Sequence, residues 1–143
     1  MVNQYGKSVY KYNACGDNFI DDCYALNVIN DDEIWFYYYT DFLLCRIKNN
    51  RVDYFEPKLS GSDGFLVYDK YVLFRGVYNN QNEYHLLEFT KNERLKERKA
   101  IVFTNETNDI INTDYIDCRG SKLLMRVETK LYIVDLKDII NKL

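Results

Sequence analysis

The chain has 143 residues, 47% of them hydrophobic and 29% charged, and a formal net charge of −3. That length suits one domain able to bury most of its apolar surface, and the composition excludes a disordered chain. No run approaches the roughly 18 apolar residues of a membrane span, and the negative balance disfavours nucleic acid as a partner.

The amino terminus, Met1-Val-Asn-Gln-Tyr-Gly-Lys, has neither the basic start nor the apolar run of a secretion signal, so a cytoplasmic protein is expected. A strand-like run follows at Lys7 to Asn13. Four cysteines (Cys15, Cys23, Cys45, Cys118) contain no CxxC pair. They read as reduced, mostly buried thiols, with a Cys15–Cys23 disulfide as the alternative.

The next elements are strands. The chain holds 14 Tyr and 8 Phe beside one Pro, a bias toward half-buried pleated surfaces. Cys23 to Ile29, Glu33 to Tyr39 and Phe42 to Ile47 are three apolar runs separated by short polar turns, and Arg51 to Glu56 follows as a more polar fourth. Within Glu33 to Tyr39, Ile34, Phe36 and Tyr38 point one way and Trp35, Tyr37 and Tyr39 the other. Both faces are apolar, so this strand is expected to be covered on both sides.

The same order recurs. Gly64 to Tyr68, a turn at Asp69-Lys70, Tyr71 to Phe74, a polar turn around Asn79 to Asn82, and Tyr84 to Phe89 form a second copy, with Ala100 to Thr104 as its outer strand. Asp114 to Asp117, a turn at Arg119-Gly120, Leu123 to Val127 and Leu131 to Leu136 form a third. The terminal spacing of Leu136, Ile139, Ile140 and Leu143 suits a short helix. Copies about 40 to 50 residues apart with four strands each have the propeller period.

The predicted fold is therefore all-β: three four-stranded antiparallel blades over about 22–57, 62–105 and 112–136, the last completed by 7–13, and a short C-terminal helix. Rings typically hold four to eight blades. Three blades leave two aromatic faces wet, so a homodimer closing a six-bladed ring is expected, in which Lys7 to Asn13 completes the third blade of the partner chain.

The stretch Asp21 to Ile47, DDCYALNVINDDEIWFYYYTDFLLCRI, resembles a segment of uncharacterised bacterial proteins with WD-repeat-like propeller blades. Val72-Leu-Phe-Arg-Gly-Val-Tyr and Leu131-Tyr-Ile-Val-Asp-Leu are similar to later blades of the same proteins. The resemblance implies blades, covers most of this chain, and corresponds to half of the longer proteins. The chain has no Gly-His or Trp-Asp dipeptide, so the hydrogen-bond network those dipeptides support is not carried over.

Enzyme motifs are missing. His85 is the one histidine, and no GxSxG, GxGxxG or P-loop pattern accompanies it, so no triad or nucleotide cradle is expected. The cysteines lack zinc spacing, and the acidic turns near Asp17 to Asp22 and Asn30 to Glu33 lack that of a calcium loop. No metal and no cofactor is expected. The run Lys91 to Lys99, with five positive and two negative charges, reads as a solvated hairpin or short helix.

Recognition residues remain. Tyr37, Tyr39 and Asp41 flank one predicted turn, and Asp22, Arg75 and Tyr78 occupy equivalent rim positions. Tyrosine gives large contact area at low entropy cost. The expected function is non-enzymatic protein binding. The alternatives are an immunity-type protein that occludes a toxin with an acidic concave patch, and a carbohydrate-binding or glycosidase-like propeller. The last would draw on Asp22, Asp41, Asp69 and Asp117 facing one channel.

Overall fold

Eleven strands and one helix make up the computed structural model, which describes residues 5–8, 10–12, 20–113 and 115–143. The first sheet runs β1 (Cys23–Asn30), β2 (Glu33–Tyr38), β3 (Leu44–Lys48) and β4 (Arg51–Phe55). The second runs β5 (Gly64–Tyr68), β6 (Tyr71–Val77), β7 (Asn80–Phe89) and β8 (Leu95–Val102). The third holds β9 (Tyr115–Arg119), β10 (Lys122–Val127) and β11 (Lys130–Asp135), and α1 (Leu136–Ile140) follows directly. Every sheet is an antiparallel meander in chain order.

Local chemistry sets these turns. Asn49 and Asn50 join β3 to β4 with φ of 50° and 61°, the left-handed pair that a two-residue hairpin wants and that Asn tolerates. Asp69 takes φ 52° in the β5–β6 turn, as expected from the sequence. The β9–β10 turn is Gly120-Ser121 rather than Arg119-Gly120, because Arg119 still pairs with Lys122. The basic run also differs from its reading: only residues 90–94 form a loop, and β8 begins at Leu95. Its alternating Lys, Glu and Arg suit a solvated outer strand, so pairing with β7 overrides its charge.

The aromatic alternation of β2 has the expected consequence. Trp35 and Tyr37 face the second sheet, in one core with Phe55, Phe65, Phe74 and Leu87. Phe36 and Tyr38 face the other way, with Cys45 and Ile47, and are covered by Tyr10, Tyr12 and Ile20. Another core lies between the second and third sheets, built on Leu66, Leu73, Leu86, Leu123, Met125 and Leu136. Each fully buried Leu or Phe stabilises by roughly 1.5–3 kcal/mol. The second sheet is thus apolar on both faces because it lies between the other two.

The expected fourth strand of the third sheet is not where the sequence reading placed it. Among the described residues that sheet has three strands, and Tyr10 and Tyr12 pack on the first sheet instead. Tyr12 bonds the Tyr54 hydroxyl at 2.7 Å and meets the Phe36 ring edge-on. Burying two tyrosines on an aromatic face outweighs lengthening an edge. Val9 and Asn13 of that run lie outside the described residues, as does Cys15. Cys45 is buried, Cys118 half-buried and Cys23 exposed, all as free thiols. Burial pushes Cys45 and Cys118 up to about 12, with Asp53 adding to the first and Asp117 to the second.

The three sheets meet along their first strands: β1 touches β5 and β9, and β5 touches β9. Asn27 stands at this junction with no exposed surface. Its Nδ2 donates to the carbonyls of Phe65 and Gly120, both at 2.9 Å, and its Oδ1 accepts from the Gly120 amide at 2.6 Å. One side chain thereby bonds all three sheets. At the opposite end, the Ser62 hydroxyl donates to the carbonyls of Gly64 and Arg75, and Thr113 repeats this with Tyr115 and Arg126.

Replacing Asn27 with alanine leaves buried backbone groups without partners, at roughly 1–3 kcal/mol for each unsatisfied group. Asn27→Ala is expected to lower unfolding free energy by about 2–4 kcal/mol in urea melts at neutral pH.

Candidate functional site

The connections divide between two ends of the molecule. At one end lie the β2–β3 loop, the β4–β5 connection and the β6–β7 turn. There the structure gathers Tyr24, Tyr37, Tyr39, Phe42 and Tyr78 into one aromatic cluster. Tyr24 lies 6.0 Å from Tyr39 and 6.3 Å from Tyr78 between ring centres, and Phe42 lies 5.5 Å from Tyr39 and 5.8 Å from Tyr78. Several of these contacts are edge-to-face, the geometry that suits the ring quadrupole. The hydroxyls of Tyr24 and Tyr78 share a hydrogen bond of 2.8 Å.

Backbone specials aim these rings. Thr40 has φ 94° and Phe42 φ 52°, and a β-branched residue in the left-handed region stores strain. Gly76, φ 56°, sits at the bulge between Arg75 and Val77, and a Cβ there would meet the backbone of Gln81. Only glycine fits, and the bulge directs Tyr78 outward. Gly61, φ 78°, lies so close under the Tyr78 ring that a Cβ would overlap it.

The six expected recognition residues are split by burial. Tyr39 is 42% exposed and Tyr78 52%. Asp22 and Asp41 are exposed beside them, and the Tyr39 amide donates to the Asp22 carbonyl at 2.8 Å. Tyr37 and Arg75 belong elsewhere. Tyr37 is wholly buried, donates to the Leu59 carbonyl at 2.5 Å, and packs on Phe74. Burial pushes its phenol far above the usual range. Arg75, 3% exposed, pairs with Asp63 at 2.6 Å and donates to the Thr113 carbonyl at 2.5 Å. Buried charge needs such partners, so Arg75 ties the second sheet to the third instead of facing solvent. Tyr24 and Phe42 complete the cluster: Phe42 ends the Tyr37 to Phe42 stretch itself, whereas Tyr24 lies on β1 and is joined to it only by the pairing of β1 with β2.

The other end carries a trough of about 720 Å³ between the first two sheets. Its apolar wall includes Ile29, Trp35, Phe55, Val67 and Phe89. The Trp35 indole donates to Glu33 at 2.8 Å, and Lys48 pairs with the same carboxylate at 2.8 Å. Burial acts to raise the pKa of Glu33, but the bonds from Lys48 and Trp35 together with the charges of Lys48 and Arg46 hold it below the usual carboxylate range. Arg46 lies 5.5 Å from the ring centres of Trp35 and Phe55 and is fixed by Asp53. Sequence spacing held a signal for this wall: Glu33 and Trp35 share a face, and the hairpin sets Lys48 and Arg46 opposite them.

The four carboxylates considered for glycoside chemistry do not converge. Asp22 and Asp41 flank the tyrosine rim, Asp69 forms the β5–β6 turn at the trough, and Asp117 lies within β9. His85 bonds Glu97 at 2.8 Å on neighbouring strands. Among the described residues no group of three or more His, Cys, Asp or Glu is placed to hold a metal ion, and no helix is long and apolar enough to cross a membrane.

The hydrogen bond shared with Tyr24, which favours the protonated Tyr78 phenol, is the main cause that raises the Tyr78 pKa to about 12, with burial and the neighbouring phenols adding to it. Tyr24→Phe is expected to bring Tyr78 back toward about 10, the ordinary tyrosine value, followed by carbon NMR of labelled tyrosine rings against pH.

The family model of the YxzG family matches residues 1–134. No curated protein and no solved structure matches the chain.

Proposed function

We propose that this chain, which belongs to the YxzG family, is a non-enzymatic module that holds a partner protein on its tyrosine rim. The observation that carries this reading is the half-exposed pair Tyr39 and Tyr78, fixed from below by Tyr24, Phe42 and two special glycines. An aromatic patch held rigid before contact loses little entropy on binding, which is what a protein–protein hot spot needs. Asp22 and Asp41 give the patch an acidic margin. Backbone strain at Thr40 supports the same reading, since such strain gathers where function maintains it.

The three sheets act in this proposal as propeller-like blades. Support comes from the mutual contact of β1, β5 and β9 and from the equal roles of Ser62 and Thr113 at the entry of the second and third sheets. A second copy closes the array in a homodimer. The third sheet leaves Leu131 63% and Ile133 73% exposed, and Leu26 on the first sheet is 57% exposed. Such apolar surface on two terminal sheets favours a covering partner.

The rim is tested by expressing the wild-type chain and the Tyr39→Ala/Tyr78→Ala variant in the source cell and comparing what co-purifies. A protein retained by the wild type and lost from the folded variant supports the proposal; equal retention by both overturns it. The homodimer is expected to show twice the chain mass in light scattering, and a single-chain mass at micromolar concentration removes it.

A further inference from the structure

We propose that the trough at the end opposite the tyrosine rim is a second binding site, built for an acidic segment of a partner protein that also carries apolar side chains. The chain as a whole is negative, at −3. The trough lining inverts that sign: Arg46, Lys48, Lys70, Arg119, Lys122 and Lys137 stand against Glu33, Asp69 and Glu93. Three of these cations are committed within the fold, Arg46 to Asp53, Lys48 to Glu33 and Lys70 to Glu88. Arg119, Lys122 and Lys137 form no ion pair among the described residues. All three are exposed at the mouth, on β9, β10 and α1.

Their placement is fixed by the junction of the sheets. Arg119 and Lys122 bracket the Gly120-Ser121 turn, and Gly120 is held by Asn27 on both its amide and its carbonyl. The Ser121 carbonyl accepts from the Leu136 amide at 2.8 Å, which anchors the start of α1 and so Lys137. Lys137 also lies 5.3 Å from the centre of the Tyr68 ring. Three cations outside any close ion pair therefore line one side of the trough on rigid supports, with Asp135 the nearby carboxylate that Lys122 and Lys137 both influence.

The opposite wall is apolar and equally fixed. Phe55 stacks on Trp35 at 5.7 Å and meets Phe89 edge-on at 4.8 Å. Ile29, Val67 and Phe89 are only partly buried, so apolar surface remains for an incoming side chain. The volume of about 720 Å³ lies within the usual range of ligand sites, and the lining joins an apolar wall to nine charged residues. An open trough with cations along one side and aromatic rings along the other fits an extended peptide whose carboxylates face Arg119, Lys122 and Lys137 while an apolar residue seats against Val67 and Phe89. Asp69 and Glu93 at the rim repel a peptide laid further toward the second sheet, which sets its lateral position.

Trp35 is the one tryptophan of the chain, so its fluorescence reports the trough directly. The probes are three blocked synthetic peptides: Asp-Glu-Leu-Phe-Glu-Asp, its basic counterpart Lys-Arg-Leu-Phe-Arg-Lys, and the acidic but polar Asp-Glu-Ser-Asn-Glu-Asp. A single-stranded oligonucleotide serves as the other polyanion. The first peptide is expected to give a saturable change that weakens with added salt and falls about tenfold in affinity in Arg119→Glu/Lys122→Glu. That variant alters exposed side chains only, and its fold is checked by its urea midpoint. No saturable change, equal binding of the basic or the polar peptide, preference for the oligonucleotide, or an unchanged affinity in the variant overturns the proposal. The Tyr39→Ala/Tyr78→Ala variant is expected to bind the first peptide as the wild type does, so this site and the rim fail or stand separately.

Discussion

Asn27 bonds all three sheets where their first strands come together. An amide is the side chain suited to this task, because it donates and accepts from one planar group without carrying a charge. Its donors close two carbonyls from different sheets and its acceptor closes a turn amide. A carboxylate there lacks the donor, and an aliphatic residue leaves polar backbone groups unpaired in a dry interior. The junction holds the Gly120-Ser121 turn, and through the Ser121 carbonyl the start of α1.

Two ends with different chemistry result. Hairpins of antiparallel meanders alternate their turns between ends, so residues far apart in the chain meet at one rim. Tyr24 and Tyr78 meet in this way across the first and second sheets. At the other end, the cations of the third sheet stand across a trough from the aromatic wall of the first. The first end is aromatic with an acidic margin and the second is apolar with a basic one, although the chain is only mildly acidic as a whole. Charge is therefore distributed locally, and net charge is a poor guide to the chemistry of either end.

Arg75 and the tyrosine run show how the same residue types divide between structure and surface. Tyr37, Tyr38 and Tyr39 are consecutive, yet the first two are fully buried on opposite faces and the third is at the rim. A period of two sends neighbours to opposite sides, and the sheet ends between Tyr38 and Tyr39. Arg75 lies within β6, and its guanidinium reaches Asp63 and the Thr113 carbonyl because the third sheet packs there. Its sequence context of apolar neighbours is common to an exposed and to a buried arginine.

Strand order, the repeating meander, the doubly covered β2 and the terminal helix were all legible in the chain, since each rests on local rules: side-chain alternation, turn chemistry and helical spacing. The same local rules marked Asp22, Tyr37, Tyr39, Asp41, Arg75 and Tyr78 alike as rim residues, and did not separate the buried Tyr37 and Arg75 from the other four. Tertiary packing alone decided that Tyr10 and Tyr12 cover the first sheet, that Arg75 is a buried tie, and that Trp35, Phe89 and Lys122 share a trough. Those outcomes depend on how sheets distant in sequence stack against one another. Such stacking is governed by fitted shape and by buried polar ties such as those of Asn27 and Arg75, none of which leaves a periodic mark in the chain.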